Sequence, residues 1–190
     1  MALTADEIGA LFTQSGGDFL CARWARPIAP VAFGLADQTL AVFRAALAAV
    51  AAHAGQPMTD TDPEMGANLM VFAVRDWEEL GGLPDLDRLT GLADLPARLA
   101  AQSADRYRLL RFDAGGGIRA CLSFLRLGGA LGSAHPAALA EDTGVNAMLS
   151  FARHVTPSAG IAALIRAAYD PALPACARDP SHALRLAARL

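Results

Sequence analysis

Apolar residues recur along this chain at two spacings, and the changes between them outline the elements. Thr4 and Glu7 form a T-x-x-E capping box ahead of Ile8, Leu11 and Phe12, which predicts a short amphipathic helix ended by Ser15-Gly16-Gly17. Residues 23–34, RWARPIAPVAFG, read as strand, but Pro27 and Pro30 lack amide donors, so an edge strand is expected. Asp37 can cap a helix running to about His53, with Leu40, Phe43, Leu47 and Val50 on one face and Gly55 past its end. A polar loop over 56–66 then leads into ANLMVFAV at 67–74, a short, almost wholly apolar run expected to be a strand buried on both faces.

Residues 75–104 break into short helical pieces at Gly81-Gly82, Pro84 and Pro96. RYRLLRF at 106–112 and IRACLSFLRL at 118–127 follow, joined through Asp113 and three glycines as a hairpin. Arg106, Arg108 and Arg111 break the two-residue period, so a bulge or a twist is expected in the first of these strands. Beyond Gly132 a helix with Pro136 in its first turn is expected to bury Leu139, Val145, Met148 and Leu149, and another near Pro157, capped by Thr156, to bury Ile161, Leu164 and Ile165. An extended stretch and a last Arg-rich helical turn close the chain. The expected fold is a single α+β domain over 1–190, with an N-terminal helix in 1–17 and a C-terminal tail from 171 to 190. Its sheet is expected to be mixed, mostly antiparallel, of about four to five strands packed against helices.

Composition narrows the function classes more than it selects one. A hydrophobic share of 54% supports one sizeable core in 190 residues, and three widely spaced cysteines suggest buried thiols rather than disulfides. The net charge of −3 has no basic stripe to meet a nucleic acid. Every basic side chain except histidine is arginine, which removes the Schiff-base lysine and the phosphate-cradling lysine together. No apolar run is long enough to span a membrane, and the first residues carry no signal pattern. A cytoplasmic location is expected, or a periplasmic one if a leader has been removed.

None of the standard catalytic or cofactor motifs is complete. The four histidines, at 53, 135, 154 and 182, show no i, i+4 pair for a metal. His53 suits a helix C-terminus, His135 a helix start and His182 the surface of the tail. Asp60, Asp62 and Glu64 alternate like calcium ligands without the glycine and distal glutamate of such a loop, and the glycines at 115–117 read as a hairpin turn. For acid-base chemistry the candidates are Glu141, His154 and His135. Adjacent helical residues point about 100° apart, so Glu141 and Asp142 cannot share one small site. Glu141 and His154 could meet only across a break near Gly144. No cofactor and no metal site is expected.

Taken in order, Arg23-Trp24-x-Arg26-Pro27-Ile28, the long helix, ANLMVFAV, the strand ending FLRL, the helix with ALAEDTGVNAML, the Thr-Pro helix and AYDP at 168–171 resemble a bacterial domain family of unknown function. That family is similar in architecture to the zincin metalloproteases, and the resemblance covers nearly the whole chain. It implies a zincin-like fold with Glu141 where the H-E-x-x-H glutamate stands. Ala140 and Gly144 then occupy the two zinc-ligand positions, and neither can bind zinc. The resemblance thus implies the fold and argues against the activity.

Three functions follow as expectations. The first is a non-catalytic, zincin-like module binding a protein partner or small ligand. The second is a hydrolase with a non-standard site around Glu141. The third is a structural or self-associating protein, such as a homodimer, using the alanine face of Ala45, Ala48, Ala49 and Ala52.

Overall fold

The apolar run at 69–74 lies at the centre of the sheet, flanked by strands on both sides. The structure is a computed structural model that describes residues 2–190. In chain order it contains α1 (Ala5–Phe12), β1 (Cys21–Ala22), β2 (Pro30–Phe33), α2 (Asp37–Ala54) and β3 (Leu69–Val74). Then come a 3-10 turn (Trp77–Gly82), α3 (Leu86–Thr90), α4 (Leu95–Ala101), β4 (Arg106–Phe112) and β5 (Ile118–Arg126). After a second 3-10 turn (Ala130–Ser133) follow α5 (Pro136–Met148), α6 (Ala159–Ala168), β6 (Cys176–Ala177) and α7 (His182–Ala187).

The main sheet has four strands in the order β2-β3-β5-β4. It is mixed and packed against helices, as expected, with one correction: antiparallel pairing is confined to the β4–β5 hairpin, while β2–β3 and β3–β5 are parallel. The reason is connectivity, because α2 carries the chain back over the sheet before β3 begins, and β4 carries it back again between β3 and β5; each return lets the later strand lie parallel to the earlier one. The proline-bearing β2 is an edge strand, and the register of the hairpin shifts between Arg111 and Phe112; the extra residue is Arg119, so the bulge lies in β5 and not in β4, where it was expected. Away from this sheet β1 and β6 form a two-stranded ribbon that ties the C-terminal tail to residues 21–22.

Helices cover both faces of the sheet. One face carries Leu69, Val71, Cys121 and Leu125 into the larger core with α2, α5 and α6. The other carries Phe72, Leu122 and Phe124 against α3, α4 and Trp77. α5 is the most enclosed helix, and Gly144 allows its contact with α2: a Cβ there would stand 3.0 Å from Leu47 Cδ2 and 3.4 Å from Val50 Cβ. Its buried C-terminal carbonyls find partners from far along the chain. The Trp24 indole donates to Ala147 O at 2.8 Å, and the Tyr169 hydroxyl donates to Met148 O at 2.8 Å.

Local chemistry follows the sequence closely at some ends and not at others. Thr4 and Glu7 form the reciprocal capping box, and Gly55 ends α2 in the left-handed conformation at φ 72°. Asp37 is the first helical residue rather than the cap, and α6 is capped by Ser158, whose hydroxyl accepts from Ile161 N at 3.2 Å, rather than by Thr156. His182, expected on the surface, is 3% exposed, because α7 folds back onto α1 and buries its first turn. No helix among the described residues is long and apolar enough to cross a membrane.

Candidate functional site

A cleft of about 210 Å3 opens where β4 and β5 meet α5 and the loop after it. Antiparallel pairing sets Arg106 opposite Leu125 and Arg108 opposite Ser123, so all four side chains share one sheet face. α5 contributes Asp142, Thr143 and Asn146, and the loop contributes Ala152, Arg153 and His154. Asp142 and Asn146 lie one turn apart, which puts both on the helix face above the cleft.

Asn146 and Arg108 shape the loop. The Asn146 carboxamide accepts from Val155 N at 2.8 Å and donates to Val155 O at 2.8 Å, clamping the loop after α5 onto the helix. The Arg108 guanidinium donates to the carbonyls of Asn146, Leu149 and Phe151, a cation seated at the carbonyl end of α5 where the helix dipole favours it. It has no carboxylate partner among the described residues, and burial holds it below the ordinary arginine value. With the loop so held, His154 Nε2 lies 3.1 Å from Asp142 Oδ1, and Arg106 Nε lies 3.1 Å from Asp142 Oδ2. Both Asp142 oxygens are thus committed, at 13% exposure, while Arg106 and His154 remain open to solvent at 38% and 40%.

The electrostatics of the cleft are one-sided. Arg106, Arg108 and Arg153 face a single acid, Asp142, and His154 adds charge when protonated. Arg153 has no hydrogen-bond or ion-pair partner among the described residues, and neither has the Ser123 hydroxyl, on a residue 7% exposed.

Of the residues singled out in the sequence, His154 is in this cleft and the other two are not. Glu141 points away from it, into an apolar groove of about 330 Å3 between α2, α5 and α6, bordered by His53 and Ile165. α5 runs unbroken through Gly144 and stops at Met148, so Glu141 and His154 stay on opposite sides of it. His135 is an exposed N-cap whose Nδ1 accepts from Ala137 N at 3.2 Å. His53 Nε2 donates to Ala162 O at 2.9 Å, which fastens α2 to α6. Asp142, weighed in the sequence only as the neighbour of Glu141, is the acid that lies in this cleft with His154; the signal for it was the i, i+4 pairing with Asn146 and the return of His154 after the helix ends.

Ala140 and Gly144, the positions that the resemblance assigns to zinc ligands, are buried in the core rather than in the cleft, Gly144 against Leu47 and Val50. Among the described residues no three His, Cys, Asp or Glu side chains converge as a metal site would require. In the acidic loop Asp62, 3% exposed, accepts from Glu64 N and Met65 N at 2.9 Å and from Asn68 Nδ2 at 3.0 Å. No protein-family model matches the chain, and no curated protein or solved structure matches it significantly.

Proposed function

We propose that this chain is a non-catalytic binding module, a zincin-like shell without the zinc motif, whose ligand is a small phosphate or carboxylate held in the Arg106–Arg108–Arg153 cleft. The charge imbalance carries the reading: three guanidiniums stand against one carboxylate that is already shared between Arg106 and His154. The half-charge at the α5 C-terminus offsets only part of the excess. Guanidiniums present planar pairs of donors that match carboxylate and phosphate oxygens, and Ser123 supplies one more donor. The cleft volume of about 210 Å3 lies below the range that accommodates drug-sized ligands, which favours a compact anion.

Calorimetric titration with phosphate, acetate and succinate at low ionic strength tests this reading. At least one should bind saturably, with Arg153→Gln weakening it roughly fivefold to tenfold, as loss of one solvent-exposed hydrogen bond of about 1–1.4 kcal/mol predicts. Failure of all three to bind overturns the ligand assignment. Stoichiometric zinc in the purified protein overturns the non-catalytic assignment.

A hydrolytic reading rests on a different observation from the one that first suggested it. Asp142 holds Nε2 of His154, which orients the imidazole as a base should be oriented, whereas Glu141 lies in another groove. A hydrolase screen decides it: activity abolished by His154→Gln supports this reading, and activity indifferent to that change removes it.

A further inference from the structure

The second face of the sheet is only partly covered. α3, α4 and Trp77 close over Phe72, Phe124 and Leu80. Toward the β4–β5 turn the cover ends and leaves a groove of about 810 Å3, with Met70, Leu122 and Phe112 along its apolar floor and wall and Leu89 opposite. Phe112 is 38% exposed, an unusual position for a phenylalanine beside so much other apolar surface.

The rim of the groove is cationic. Arg88, Arg111 and Arg119 line it, against Asp85 alone. Arg119 is the extra residue of the bulge opposite Arg111 and Phe112, and Glu64 neutralises it at 2.9 Å. Arg111 is braced by donation to Thr90 O at 2.7 Å, a neutral partner that leaves its charge uncompensated. Arg88 has no hydrogen-bond or ion-pair partner among the described residues. Two arginines therefore stand free of acids at the edge of an apolar trough whose volume falls in the usual range for an organic ligand.

We propose that this groove binds a single-chain anionic amphiphile, a medium-chain carboxylate, with its head on Arg88 and Arg111 and its alkyl chain along Met70, Leu122 and Phe112. The site lies on the opposite face of the sheet from the cleft of Arg106 and His154 and does not depend on what binds there. Each half of the ligand answers one half of the groove: burying the chain removes apolar surface from water on both partners, and the headgroup matches the paired guanidiniums.

Titration of the isotope-labelled protein with decanoate, below its aggregation concentration, tests the proposal. Saturable amide shifts are expected around Met70, Arg88, Phe112 and Leu122, not around Arg153 and His154. Arg88→Gln, on an exposed residue without a protein partner, should weaken binding roughly twofold to fivefold, as loss of an exposed ion pair predicts. Phe112→Ser should weaken it further, and acetate should leave these amides unmoved. Decanol binding as tightly as decanoate would overturn the charge assignment and with it the proposal. So would absence of shifts in the groove, or attachment to phosphatidylglycerol vesicles without uptake of monomeric decanoate.

Discussion

Asn146 and Val155 exchange two hydrogen bonds of 2.8 Å, side chain to backbone in both directions, although one lies in α5 and the other beyond the end of that helix. This clamp folds residues 150–155 back along α5, and the fold-back delivers His154 to Asp142. Asn146→Ala leaves both backbone groups of Val155, a residue 5% exposed, without partners. Each unmade buried bond costs about 1–3 kcal/mol, so a loss of roughly 2–6 kcal/mol is expected in urea denaturation. In the same variant the His154 ring resonances should lose their sensitivity to Asp142→Asn; retention of that coupling would show that another contact positions the loop.

Burial pushes the His182 imidazole below its ordinary value of 6.5, with Arg185 and Arg189 acting in the same direction, and its Nδ1 has no hydrogen-bond partner. A folded-state pKa below the unfolded one means that the unfolded chain takes up the proton first as pH falls. The stability from keeping His182 neutral is complete above about 6.5 and declines below that, until the folded-state pKa is reached. His182→Gln should flatten the slope of stability against pH below 6.5 in denaturant titrations, relative to the parent chain. An unchanged slope would assign the acid sensitivity elsewhere.

The three cysteines differ in reactivity for a physical reason. Burial pushes the thiols of Cys21 and Cys121 up to about 12, so neither forms appreciable thiolate at pH 8. Cys176 is only half-buried. One thiol per chain should therefore react with a chromogenic disulfide in native buffer, and Cys176→Ser should abolish that reaction while all remaining thiols react in denaturant.

Gly144 is a packing requirement of the α2–α5 contact. A Cβ at this position meets Leu47 Cδ2 at 3.0 Å, and a branched side chain would also meet Val50. Overpacking of this kind costs about 1–3 kcal/mol, so Gly144→Val is expected to lower the unfolding free energy by that amount without moving Asp142 or His154. Any zinc-binding histidine engineered at this position would meet the same wall.

Much of the fold was legible from local chemistry. The Thr4–Glu7 box, the Gly55 helix end, the apolar 69–74 run and the edge strand with Pro30 are short-range signals, and the structure follows each of them, whereas the bulge expected in β4 lies at Arg119 of its partner strand. Where short-range signals competed, as between Thr156 and Ser158, only the hydroxyl able to reach an unsatisfied amide became the cap.

The sequence by itself determined the main helices and strands and the absence of an H-E-x-x-H spacing, because capping, periodicity and motif spacing act over a few residues. Only the tertiary structure decided which residues meet. The balance of parallel pairing came from the α2 crossover, the burial of His182 from α7 closing on α1, and the Asp142–His154 pair from a helix that stops at Met148 and a loop pinned by Asn146 and Arg108. Those contacts join residues whose separation along the chain carries no periodic signal, and they exist because buried carbonyls and amides at the end of α5 had to find partners.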